Sequence, residues 1–244
     1  MLEIKNIKKG FKNQEVLKGI NTDFKEGNVY GLLGNNGVGK TTLLKIIFNE
    51  LDADGGEIVY NNIAQKDINY KDWYYFTETN DLPLDVSTYQ FLKTNSLLMG
   101  LSDEEFKKRL NDAQEIIPIN FKLKQKMKKL SSGQKKMVCC LSVLIAKPKV
   151  VFLDEPTANV DQENKEIIKD LIKALKSEDR IIVIITHLIE EIEDVLTNVV
   201  IIDDGVVKID QPLKKKSASV IFDENIEQRD KTNENEILGD YLNE

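Results

Sequence analysis

The residues Gly34-Asn35-Asn36-Gly37-Val38-Gly39-Lys40-Thr41 have the spacing of a phosphate-binding loop: glycine, four residues, glycine, lysine and a hydroxyl residue. Such a loop turns its backbone N–H groups inward, and the helix that follows adds the positive end of its dipole. In this pattern Lys40 reaches the outer phosphates of a nucleoside triphosphate and Thr41 offers its hydroxyl to Mg²⁺. Asn35, Asn36, Gly37, Val38, Gly39 and Thr42 complete the expected cradle. Phosphate transfer to water also needs an oxygen ligand for the metal and an acceptor for the water proton. The run Val150-Val151-Phe152-Leu153-Asp154-Glu155 ends in two carboxylates, Asp154 for Mg²⁺ and Glu155 for the proton. Alone, two acids after an apolar run read equally well as the solvated start of a loop, and it is the pairing with the phosphate loop that gives them weight.

These groups need rigid elements to hold them. Val29-Tyr30-Gly31-Leu32-Leu33 is a short apolar run that stops at the loop, and residues 42–51 carry Leu43, Leu44, Ile46 and Ile47 at helical spacing, which predicts strand, loop, helix. Residues 2–24 hold short alternating segments broken by Gly10 and Gly19, expected as antiparallel strands, with more short strands within residues 55–75. From about Val86 the pattern is helical for roughly sixty residues, a helical insert. Residues 149–153 and 180–185 are solid apolar strands separated by an amphipathic helix over residues 162–176. Strands apolar on both faces and alternating with helices predict a buried parallel sheet in an α/β fold. Residues 199–209, with Asp203-Asp204-Gly205 between two apolar runs, predict a terminal hairpin. The core is expected to end near Pro212, leaving residues 213–244 as a polar tail with only Ile237, Leu238, Tyr241 and Leu242 spaced for a short helix.

Between the two chemical motifs lies Leu130-Ser131-Ser132-Gly133-Gln134, with Ser131 91 positions after Lys40 and 23 before Asp154. As an isolated pentapeptide it reads as a helix N-cap. In this order and at this spacing it resembles the signature motif of the ABC ATPases, usually LSGGQ, with Ser132 in place of the first glycine. The resemblance covers about residues 1–212. It implies a P-loop NTPase fold with a RecA-like core around a parallel sheet and an antiparallel β subdomain. A helical subdomain, about residues 79–146, is inserted between the phosphate loop (Walker A) and the signature. It also implies that Ser131, Ser132, Gly133 and Gln134 close over an ATP held by a second subunit. Phe11, 23 residues before Gly34, stands where such proteins offer an aromatic ring to adenine. Asp161, in the stretch from Pro156, falls in the D-loop, and Thr186-His187 matches the switch histidine, so Lys40, Glu155 and His187 become the catalytic candidates. His187 is the chain's sole histidine. One departure is Glu78, which aligns with the Q-loop glutamine. A carboxylate there can bind metal or water, yet adds negative charge beside a triphosphate.

From the same resemblance follow ATP and Mg²⁺ as the bound species and a homodimer or heterodimer as the working form. A separate transmembrane permease is the implied partner, docked near Glu78 and the helical insert. Export is the implied direction, and the cytoplasmic face of the membrane the expected place. The alternative is a soluble ABC ATPase of an assembly system, such as that for iron–sulfur clusters. Composition agrees with a membrane partner on another chain. At 41% hydrophobic and 31% charged residues, no apolar run approaches the ~18 a membrane helix needs, and Met1 to Lys9 leads into no signal-peptide apolar region. A net charge of −7 disfavours a nucleic-acid partner. Cys139 and Cys140, adjacent in a helical pattern, cannot bridge without strain and are expected as packed thiols.

Overall fold

The computed structural model describes residues 1–12, 14–76, 82–117, 119, 122–214 and 216–226. Glu78 and the residues after Ile226, with the expected short helix there, lie outside the described residues. Two sheets form. The smaller is antiparallel, with strands β1 (Leu2–Phe11), β2 (Gln14–Phe24), β4 (Gly55–Tyr60) and β5 (Ile63–Ala64) in the order β2-β1-β4-β5. The larger contains β3 (Asn28–Leu33), β6 (Trp73–Phe76), β7 (Val150–Asp154), β8 (Ile181–Ile185), β9 (Asn198–Asp203) and β10 (Val206–Pro212) in the order β10-β9-β3-β8-β7-β6. All its pairings are parallel except that of β10 with β9, the predicted hairpin.

The central strands are apolar throughout because both of their faces are covered. Alternate side chains enter different cores, as a strand's period of two requires. Val150, Phe152, Ile181 and Val183 pack toward the antiparallel sheet and α1 (Lys40–Ile47), while Val151, Leu153, Ile182 and Ile184 pack toward the helices on the opposite face. Those helices are α2 (Thr88–Leu98), α3 (Asp103–Ile116), α4 (Ser132–Ala146) and α5 (Gln162–Leu175). Three of them begin with a serine whose side chain and a Gln or Glu three residues on satisfy each other's exposed backbone N–H groups: Ser87 with Gln90, Ser102 with Glu105, Ser131 with Gln134.

Two expectations change. Helix α1 ends at Ile47 rather than near Leu51, where Phe48 and a left-handed Asn49 turn the chain. The ring of Phe48 then stacks on Tyr75 at 5.0 Å and meets Phe152 edge-on at 5.4 Å, which fixes the end of β6 against the core. Nor does the packed core stop near Pro212. Helix α6 (Ala218–Asn225) follows, and Ala218, Ile221 and Ile226 are buried in the helix-side core. Its start is tied down by Glu193, which accepts from the Ala218 N–H at 2.5 Å and the Ser219 hydroxyl at 3.1 Å. Only Ala218 and the short apolar run Val220-Ile221-Phe222 mark this helix within a polar stretch of the sequence, so composition alone reads it as tail.

Candidate active site

Strand β3 delivers the chain to the centre of the parallel sheet, and the phosphate loop crosses its end between β3 and α1. Gly34 is required by space: with φ 155°, a Cβ there would lie 2.4 Å from the carbonyl oxygen of Ile202 on neighbouring β9. Gly37, at φ 79°, has open space around its missing Cβ and sits at the exposed middle of the loop. Asn36 and Thr41 are exposed, while Lys40 is 8% exposed. The Lys40 ammonium folds back to donate to the carbonyls of Gly34 at 2.6 Å and Asn35 at 3.0 Å. Burial pulls its pKa below the ordinary lysine value, with the Glu155 and Asp154 carboxylates pushing the other way.

Strand β7 carries Asp154 and Glu155 to the same end of the sheet. Lys40, Thr41, Asp154 and Glu155 line one cleft together with Asn36, Gly37, Gly39 and Thr42. Asp154 is 9% exposed and accepts from the Tyr75 hydroxyl at 3.3 Å. Tyr75 itself is held well above its ordinary pKa by burial and by that carboxylate, so it acts as a donor. Thr41 and Asp154 are hard oxygen donors of the kind Mg²⁺ takes, and Mg²⁺ usually keeps one or two protein ligands beside water and phosphate oxygens. Among the described residues no group of three or more His, Cys, Asp or Glu could hold a metal ion unaided. The donor set therefore fits a Mg²⁺ shared with a nucleotide.

Glu155 is the most constrained residue of the site. Its backbone is left-handed at φ 46°, with its N–H donating to the Ile185 carbonyl at 2.8 Å. One carboxylate oxygen accepts from the Thr186 hydroxyl at 2.8 Å, and the other accepts from the His187 backbone N–H at 3.0 Å. His187 Nδ1 lies 2.6 Å from that second oxygen. An ionised carboxylate only accepts, so Nδ1 carries the proton and Nε2 is left for another partner. The imidazole is half exposed, its carboxylate partner buried.

The signature residues stand elsewhere. Ser131 caps α4 through the Gln134 N–H at 3.2 Å, Ser132 and Gly133 form its first turn, and none of the four lines the cleft. Asp161 caps α5, accepting from the backbone and side-chain nitrogens of Asn164 at 3.0 and 2.7 Å, and the backbone bond, named first, lowers its pKa. Phe11, 46% exposed, projects from the end of β1 with Lys9 Nζ 5.7 Å from its ring centre. A second recess beside the loop joins Asn35 to Val38 with the start of β2 and Asp203 to Gly205, extending the polar surface toward that hairpin. Cys139 and Cys140 are buried thiols that form no disulfide, and burial pushes the Cys139 thiol up to about 12.

Three polar residues of this region were given no role of their own by sequence: Tyr75, Thr186, named only beside His187, and Lys136, which is buried beside the turn after Glu155. Thr186 had a signal, a hydroxyl between an apolar strand and the only histidine. Tyr75 and Lys136 had none, because their partners are far away in the chain.

A phosphate loop at the end of a central parallel strand, facing two acids at the end of β7, one strand beyond β8 in the same sheet, defines a P-loop nucleoside triphosphatase. The family profile described as ABC transporter matches residues 17–158, more than half of the chain. The linearmycin resistance ATP-binding protein LnrL of Bacillus subtilis is 29% identical over 213 residues, covering 84% of this chain and 67% of that protein. The methionine import ATP-binding protein MetN of Clostridium acetobutylicum is 29% identical over 218 residues, covering 85% and 68%. Among solved structures, the dimeric post-hydrolysis state of the ATP-binding cassette MJ0796, bound to ADP and Pi, aligns with TM-score 0.76 at 24% identity over 88% of this chain and all of that one. This chain belongs to the ABC transporter family and is an ATP-binding, ATP-hydrolysing subunit of a transporter.

Proposed function

We propose that the cleft binds Mg·ATP and hydrolyses it with Glu155 as the proton acceptor, and that the resulting cycle works a separate transmembrane permease. The observation that carries this reading is the convergence of Lys40, Thr41, Asp154 and Glu155 on one cleft. Lys40 exchanges its loop carbonyls for phosphate oxygens, and the backbone N–H groups of residues 36–41 cradle the phosphates. Thr41 and Asp154 hold Mg²⁺, which would supply charge neutralisation at the phosphates. Glu155 orients the attacking water and takes its proton. His187 carries its Nδ1 proton toward Glu155, freeing Nε2 for the γ-phosphate, and Phe11 supplies a ring for adenine.

Ser131 to Gln134, absent from the chain's own cleft, complete the ATP site of a second subunit in a head-to-tail dimer, with Asp161 at the interface. The dimeric state of MJ0796 supports this arrangement. Exposed Leu84, Leu97, Leu98 and Ile116, on or beside the helices of residues 84–116, support a permease contact there. No helix among the described residues is long and apolar enough to cross a membrane, so this chain's described part supplies the motor and not the path. We place it on the cytoplasmic face, bound through the permease, with residues 1–212 as the ATPase unit extended by α6. LnrL, a resistance protein, supports export. MetN, an import protein, is equally identical, so direction is tested on the permease itself.

The decisive experiment uses Glu155→Gln. Turnover should fall at least a hundredfold while ATP affinity is kept, and ATP should hold the variant as a dimer on size exclusion. Pull-down of that dimer from membranes should recover a polytopic protein. Undiminished hydrolysis removes Glu155 from its role, and recovery of soluble partners alone transfers the reading to an assembly ATPase.

A further inference from the structure

Lys136 sits one turn into α4, the helix that begins at Ser131, and is only 3% exposed. A lysine placed that deep is costly unless its ammonium is hydrogen-bonded. Here Nζ donates to the carbonyl of Glu155 at 2.9 Å and, at very short range, to the carbonyl of Ala158. Those two carbonyls are the ends of the turn Glu155-Pro156-Thr157-Ala158. Pro156 has no N–H to give, the turn's hydrogen bond from Ala158 N to Glu155 O is long at 3.3 Å, and both Glu155 (φ 46°) and Asn159 (φ 58°) are left-handed. Conformations of that kind persist only where neighbouring structure over-determines them.

We propose that Lys136 is a positioning residue for hydrolysis, clamping the turn that aims Glu155 and fixing it to the helix that begins at Ser131. The clamp has a functional geometry. Ser131 belongs to the surface that closes on a second subunit's ATP, whereas Glu155 serves the chain's own. A shift of α4 when the dimer closes is transmitted through one ammonium to the backbone of the proton acceptor. The inference rests on the reading of Glu155 as proton acceptor and of Ser131 as a trans contact, and adds to it a residue outside the motifs that carry that reading.

The test compares Lys136→Met, which keeps the apolar stem and loses the donor, with Lys136→Arg, which keeps donors. Lys136→Met should lower kcat at least tenfold with KM for ATP changed less than threefold, and Lys136→Arg should recover a substantial part of kcat. In a cycle with Glu155→Gln, adding Lys136→Met should lower the residual turnover no further, since both changes remove one function. Full kcat in Lys136→Met, or losses that multiply in the double variant, would overturn the proposal. Should Lys136→Met fail to fold, as judged by its melting transition, Lys136→Arg and Lys136→Gln decide by the same kcat-against-KM comparison. A single Glu155→Gln variant that still turns over would instead remove the proton-acceptor reading, an outcome separate from the clamp.

Discussion

Glu155 carries more hydrogen bonds than a solvated loop acid needs, and they explain how a carboxylate can be aimed. Thr186 and His187 hold its two oxygens from the end of β8, so its direction is set by the adjacent strand rather than by its own rotamer. The Thr186 hydroxyl also accepts from the Leu188 N–H at 2.9 Å, which makes it a bridge between the acid and the turn carrying His187. Thr186→Val keeps the shape and deletes both bonds. With the residue fully buried, the unpaired groups should cost about 1–3 kcal/mol of stability. Turnover should fall at least tenfold with ATP affinity nearly kept, and urea unfolding alongside steady-state kinetics checks both; a stability loss with normal kcat would make Thr186 a structural residue only. How far this site could be read from sequence follows the same logic. Lys40, Thr41, Asp154 and Glu155 are legible because local spacing encodes them, and the structure gathers them in one cleft. Tyr75 and Lys136 reach the site across 79 and 19 residues, and nothing local marks such pairings.

The phosphate loop shows how an element is specified by two kinds of glycine. Gly34 is boxed in by the Ile202 backbone, which cannot yield without disturbing β9, so Gly34→Ala should destabilise the protein by about 3 kcal/mol or more. Gly37 faces open space, and Gly37→Ala should cost only about 1–2 kcal/mol from its left-handed backbone while weakening ATP binding, because Gly37 lines the cleft. Denaturation midpoints beside nucleotide titrations would separate the two, and equal stability losses would refute the distinction. Secondary structure was legible where period and flanking motif agreed, as in β3, β7, β8 and α5. It failed at the end of α1, where Leu51 continues the apolar spacing but the left-handed Asn49 has already ended the helix. That turn leaves Phe48 to pack on Tyr75 and Phe152, a tertiary demand invisible to periodicity.

At the scale of the whole molecule the question is where the cooperative unit stops. Polar composition after Pro212 argues for a boundary there, but packing argues for one after Ile226. Helix α6 lays Ala218, Ile221 and Ile226 against the helix-side core and is pinned by Glu193 from the turn that follows β8. Burying two isoleucines contributes about 3–6 kcal/mol as an upper figure. A domain's entire stability is typically only about 5–15 kcal/mol. A chain ended after Pro212 should therefore unfold at markedly lower urea or temperature than one ended after Ile226. Glu193→Ala in the longer chain should show a smaller loss in the same direction. Because α6 and Glu193 lie away from the residues lining the ATP cleft, ATP affinity of the folded fraction should be the same in all three proteins. Equal melting of the two truncated chains would return the boundary to Pro212, and a selective loss of ATP binding without destabilisation would mean that α6 acts on the site rather than on the fold.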